Sequence, residues 1–233
     1  GRSAGIGDMR LLPTARLDFA SAAAHVFLVG NIRSRSAFDM GKIEVGLVDA
    51  LLRSLPKPVP ATEQRLAQLP DPCVTIKLDG VRALLWQDET GTYARTLSDS
   101  FKVSDEGAES ASIFDAEHLR DHFYIFDALF VLDVDVRHLP LAARLRSAAA
   151  AIPSCAKLKR FFWGPEPSLA TITEKLALSR PRLADGSRLE ALEGFIFGSM
   201  AAPYDAQSFK FKFGITCDFL VTDHSASGQH GHC

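Results

Sequence analysis

The chain has 233 residues, of which 47% are hydrophobic and 23% charged. That much apolar material supports a sizeable core and excludes disorder as the governing state. With a formal net charge of −2 and a pI near 6.4, the protein has no global basic field, so any grip on nucleic acid must come from a local patch.

In chain order, Ala20 to Val29 is apolar and reads as a buried strand or short helix. Residues 42–55 place Ile43, Leu47, Val48, Leu51 and Leu52 at helical spacing. The run Leu55-Pro56-Lys57-Pro58-Val59-Pro60 is a proline-rich joint that cannot continue that helix. Thr62 caps a short helix to Leu69, which Pro70-Asp71-Pro72 stops. From Cys73 the texture turns strand-like. Residues 74–86 and 93–103 read as strands joined at Asp88-Glu89-Thr90-Gly91, and 113–117 and 123–132 as two more. Residues 140–151 and 168–178 read as helices, and 157–163, 195–197 and 209–213 as further strands. Hairpin signals outnumber βαβ signals, so the expected class is α+β with mainly antiparallel sheet.

The four cysteines, Cys73, Cys155, Cys217 and Cys233, form no Cys-x-x-Cys pair, which argues against a zinc ribbon or a disulfide framework and for a reducing compartment. No apolar run reaches the ~18–20 residues of a membrane span. The expected location is therefore intracellular, in nucleus or cytoplasm, with no membrane partner. The chain opens on Gly1 and reads as a fragment or processed product. Its tail carries His224, His230, His232 and Cys233, which read as a flexible Gly- and Ser-containing end rather than as a metal site.

The chemistry concentrates in a few places. Lys77-Leu78-Asp79-Gly80-Val81-Arg82 offers an amine, a carboxylate, a glycine and a guanidinium in six positions. An amine is a covalent catalyst only when held unprotonated in a site that grips its substrate. Asp79 suits a ribose hydroxyl, Gly80 a close backbone approach, and Arg82 a phosphate or carboxylate. Asp115 and Glu117 share one face of an extended segment. Phe123 and Tyr124 are aromatic candidates for stacking on a base, with Asp127 as a structural or ribose-side acceptor. Glu193 supplies a hard carboxylate suited to a divalent ion. Lys210 and Lys212, two apart in Phe-Lys-Phe-Lys-Phe, point one way and the phenylalanines the other.

In this order the segments resemble motifs I, III, IIIa, IV and V of the covalent nucleotidyltransferase superfamily, which comprises mRNA capping guanylyltransferases and polynucleotide ligases. The resemblance implies the nucleotidyltransferase fold over residues 61–217, with 1–60 an N-terminal segment of unknown role. Residues 218–233 would be a flexible tail or the start of a truncated OB domain, since no motif VI is visible. It implies Lys77 as the nucleophile that forms a lysyl–nucleotide phosphoramidate. Asp79, Gly80, Arg82, Glu117, Phe123, Lys159, Lys210 and Lys212 would bind the nucleotide, with Phe123 the stacking ring. Glu193 and Glu117 would serve a Mg2+ or Mn2+ ion. A free lysine, with pKa about 10.4, is protonated at neutral pH, and Lys210 and Lys212 would lower that of Lys77 by repulsion. Ala116 departs from the commoner glycine between the two motif III acids.

Three runs resemble the capping branch more than the ligases: Leu158-Lys159-Arg160-Phe161-Phe162, Pro203-Tyr204 and Thr216-Cys217-Asp218-Phe219. They imply an mRNA guanylyltransferase, a viral one included, which would move GMP from GTP to a 5′-diphosphate RNA. An RNA triphosphatase and a methyltransferase would be modules of the same or a partner chain, and a viral factory a further location. The alternatives are an ATP-dependent DNA or RNA ligase adenylation domain and a degenerate nucleotide- or RNA-binding module.

Overall fold

The structure, a computed structural model, describes residues 43–163 and 193–213. The helix expected at 168–178, the Ala20–Val29 segment, the Thr216–Phe219 run and the histidine tail lie outside these residues. The described part is α+β with mainly antiparallel sheet, as expected. Its helices are α1 (Val45–Ser54), α2 (Glu63–Ala67) and α3 (Leu141–Ala148). Its strands are β1 (Val59–Pro60), β2 (Pro72–Lys77), β3 (Val81–Asp88), β4 (Gly91–Arg95), β5 (Ser100–Ser104) and β6 (Ser112–Leu119). There follow β7 (His122–Val131), β8 (Val134–Asp135), β9 (Ala156–Leu158), β10 (Phe162–Trp163), β11 (Gly194–Ser199) and β12 (Phe209–Lys212).

The strands form two sheets. One runs β1-β12-β11-β2-β10, the other β5-β4-β3-β6-β7-β8 with β9 also on β7. All pairings are antiparallel except β1 with β12 and β7 with β9. The segment expected as one strand over 74–86 is two strands in different sheets. β2 pairs with β11 and β3 with β6, and the chain changes sheet at Leu78-Asp79-Gly80. The segment 157–163 divides likewise, β9 joining the second sheet and β10 the first.

The centre of the second sheet is buried on both faces. Along β3, Leu84 and Trp86 pack beneath α1 with Ile113 and Leu129, whereas Ala83 and Leu85 pack on the opposite side with Phe114, Phe123 and Ile125. The buried stripe of α1, Val48, Leu51 and Leu52, comes from the helical spacing of its apolar residues. In α2, the Thr62 hydroxyl accepts from the Arg65 N–H at 3.3 Å, the usual threonine N-cap. That helix lays Leu66 over the first sheet beside Val74, Phe195 and Phe197.

These contacts run across the expected boundary at 60. Residues 43–60 belong to the same packed body: α1 covers the second sheet, and β1 pairs with β12 in the register Val59↔Phe209 and Pro60↔Lys210.

Candidate active site

A cavity of about 280 Å³ opens between the two sheets. The first sheet contributes Thr75, Lys77, Ile196 and Lys210, and the second Arg82, Asp115, Glu117 and Phe126. Lys159 and Phe161 close it on one side, and Pro56 and Pro58 of the proline-rich joint on another. Residues 56 to 210 in sequence meet here because the chain crosses between sheets beside Lys77.

Lys77 ends β2, and register places it opposite Gly194 of β11, which also lies opposite Lys212 of β12. A Cβ on Gly194 would fall 1.8 Å from the Phe211 carbonyl oxygen, and its φ is +157°, so only glycine lets the three strands close. Glu193, just before it, forms ion pairs with both lysines: the Lys77 ammonium donates to Oε2, and the Lys212 ammonium to Oε1 at 2.7 Å. Burial pushes the Glu193 carboxyl up, but its hydrogen bonds and charge pairing with Lys212 and Lys77 outweigh that and hold it below the usual carboxylate range. The expected bare repulsion between Lys77 and Lys212 is thus interrupted by a carboxylate.

Gly80 makes the second close approach. A Cβ there would lie 2.5 Å from the His118 carbonyl oxygen and 2.8 Å from Glu117 Cγ. Without one, the Gly80 N–H donates to Glu117 Oε1 at 3.1 Å. Burial raises the Glu117 carboxyl above its ordinary value, against the opposing pull of Lys159, the Gly80 N–H, Lys77 and Arg82. Lys159 answers it across the cavity, its ammonium 5.6 Å from the centre of the Phe126 ring. Burial pulls the Lys159 amine down to about 8, with Lys77 adding to the fall and Glu117 and Asp115 opposing it.

Arg82 is engaged by protein groups. Its Nε donates to Asp115 Oδ1 at 2.9 Å, its Nη2 to Oδ2, and its Nη1 to the Pro56 carbonyl at 2.7 Å. Asp115 is fully buried and also accepts from the Tyr204 hydroxyl at 2.6 Å. Asp127 is held by Arg144, whose Nε and Nη2 donate to its two oxygens at 2.6 and 2.8 Å. Asp115 and Asp127 are thus each held by an arginine, and Arg82, which also lines the cavity, is engaged by a carboxylate and a carbonyl.

The structure therefore brings Lys77, Arg82, Glu117, Lys159 and Lys210 onto one cavity, with Glu193 and Lys212 beside Lys77. Asp79 is exposed on the turn between sheets. Phe123 departs from expectation: it is 2% exposed and its ring stacks on His118, with centroids 4.5 Å apart and planes 13° apart. The aromatic ring that β7 presents to the cavity is Phe126, from the strand's other face. Sequence reasoning missed Arg144, although an arginine at the i+3 position between Leu141 and Leu145 on a buried stripe was a readable signal. It also missed Pro56 and Pro58 as cavity wall.

Among the described residues no cluster of three His, Cys, Asp or Glu forms a cage for a metal ion. Glu117 and Glu193 are two carboxylates near Lys77. They fit an ion of the Mg2+ kind, which takes one or two protein carboxylates and completes its shell with phosphate and water.

No family model matches the chain. No curated protein matches it either. Solved structures similar to it include a mycobacterial DNA ligase D complexed with ATP and MES, 16% identical over 69% of this chain and 60% of that one, TM-score 0.49. The ligase domain of M. tuberculosis LigD is 17% identical over 67% and 59%, TM-score 0.47. A Lig E DNA ligase is 17% identical over 68% of each chain, TM-score 0.44. The chain spans about 60% of the length of the first of these.

Proposed function

We propose that this domain is a covalent nucleotidyltransferase that carries a nucleoside monophosphate on Lys77. The observation that carries the reading is the convergence of Lys77, Glu117, Lys159 and Lys210 on one cavity between the sheets, with Glu193 on the Lys77 amine. Three cations and a hydrogen-bonding carboxylate suit a triphosphate and a ribose. In the reaction, the Lys77 ammonium first loses a proton to solvent, and the neutral Nζ then attacks the α-phosphorus. The N–P bond forms, the bond to the β-phosphate oxygen breaks, and pyrophosphate leaves. The Lys77–Glu193 pair stabilises the ammonium and so opposes that proton loss, which must come before the amine has a lone pair to offer. Lys159 and Lys210 then face the charge that builds on the phosphate. Glu117 and Glu193 would hold a divalent ion, whose contribution is to screen phosphate charge.

Two finer readings divide on nucleotide and acceptor. In the adenylate reading the chain takes ATP and seals polynucleotide ends; the similar solved structures include a DNA ligase D complexed with ATP and the ligase domain of LigD. In the guanylate reading it takes GTP and caps 5′-diphosphate RNA, which rests on the runs at Lys159–Phe162, Pro203-Tyr204 and Thr216–Phe219. One labelling experiment serves both: α-phosphate-labelled ATP or GTP with a divalent ion, followed by denaturation. Label that stays with the protein from ATP supports the ligase reading, and from GTP the capping reading. Lys77→Arg abolishes the adduct with the fold retained, because a guanidinium does not deprotonate usefully. Full labelling of folded Lys77→Arg removes Lys77 as the nucleophile.

A further inference from the structure

Arg82 and Tyr204 share one buried carboxylate. Asp115 accepts Arg82 through both its oxygens and Tyr204 through Oδ2 at 2.6 Å. The remaining arm of Arg82 reaches the Pro56 carbonyl at 2.7 Å. Beyond Pro56, the segment is stitched to the first sheet: the Val59 N–H donates to the Ser208 carbonyl at 3.1 Å and the Ala61 N–H to the Lys210 carbonyl at 2.9 Å. The strap from Pro56 to Ala61 therefore spans from Arg82 on one sheet to β12 on the other, with Pro56 and Pro58 facing the cavity. Tyr204 is itself moored. Its N–H donates to the Arg137 carbonyl at 2.9 Å, and the buried Arg144 guanidinium sits 5.7 Å from its ring centre while donating to the Ala202 carbonyl at 2.9 Å.

We propose that Tyr204 is a positioning residue for nucleotide binding: through Asp115 it sets Arg82, and through Arg82 it sets the Pro56–Pro58 wall of the cavity. This rests on the cavity's being the nucleotide site. The hydroxyl does not reach the reacting amine of Lys77, so its loss loosens the wall more than it slows the chemistry. A hydrogen bond to a charged acceptor is strong enough for its removal to weaken binding about tenfold.

The test uses the full chain, wild type and Tyr204→Phe, with ATP and GTP as probes. Adduct formation is followed against nucleotide concentration, and equilibrium binding of the same nucleotides is measured without divalent ion. The expected result is a rise of about tenfold in the half-saturating nucleotide, with a much smaller fall in the rate at saturation. Arg82→Lys, which cannot reach Asp115 and Pro56 together, gives a similar rise, and adding Tyr204→Phe to it gives little more. Half-saturation unchanged in folded Tyr204→Phe overturns the proposal, as do effects that multiply in full in the double variant. If Tyr204→Phe fails to fold, an unchanged half-saturation in Arg82→Lys overturns it instead. A wild-type chain that binds neither nucleotide overturns the nucleotide reading itself, a result distinct from failure in the variants alone.

Discussion

Lys159 is the side chain whose chemistry the fold alters most legibly. Burial brings its amine down to about 8, well below the ordinary lysine value. Between about 8 and the ordinary ~10.4 the unfolded chain binds the extra proton, so stability from this residue rises with pH across that window. Relative to Lys159→Met, wild-type stability in urea should therefore increase between pH 8 and 10. Substrate binding runs the other way, because phosphate favours the charged amine. At pH 9 only about one in ten such amines remains charged, so nucleotide affinity should fall from pH 7 to 9, and Lys159→Arg should flatten the fall. An affinity profile of the same slope in wild type and Lys159→Arg would remove Lys159 as the titrating phosphate contact.

At the scale of elements, three strands are locked in register by one residue without a side chain. Gly194↔Lys77 and Gly194↔Lys212 hold Lys77 and a flanking lysine in a row. Gly194→Ala should cost more than ~1 kcal/mol, because the backbone conformation and the Phe211 carbonyl both oppose a Cβ. Gly198→Ala is the control: its Cβ would sit 3.7 Å from Cys73 Sγ, an ordinary contact. Thermal unfolding of the two variants checks the difference, and equal melting temperatures would show that β11 can shift without penalty. The strands around this row were readable from alternation, and the β3–β4 hairpin from its Asp-Glu-Thr-Gly turn. The β7–β8 hairpin was not: its turn residues Leu132 and Asp133 take φ of 50° and 65° with no glycine to announce them.

Across the whole molecule, residues 43–60 are where the fold most exceeds the expectation. They supply a helix to one sheet, an edge strand to the other and two prolines to the cavity. A chain beginning at Ala61 should lose cooperative unfolding by circular dichroism and form no adduct. Within the full chain, Leu52→Ala should cost ~2–5 kcal/mol, as large-to-small changes in packed cores do. A truncated chain that melts cooperatively and labels normally would make the segment dispensable.

The sequence by itself determined the class of fold, most strands and helices, and the candidate chemistry at Lys77, Glu117, Lys159, Glu193, Lys210 and Lys212. Those features are local: alternation, helical spacing, turn residues, and short motifs whose residue types carry their own chemistry. Only the tertiary structure decided the partners. Strand character over 74–86 is the same whether the chain stays in one sheet or crosses between two, so the crossing beside Lys77 needed long-range pairing. Two acids spaced two apart share one face of β6, yet Asp115 is fully buried and held by Arg82 and Tyr204 while Glu117 is held by the Gly80 N–H. Phe123 and Tyr124 read as stacking candidates on one aromatic strand, yet it is Phe126 of that strand that meets the cavity, settled by what packs against each face of β7. Pairing and burial depend on residues distant in sequence, and no local pattern encodes them.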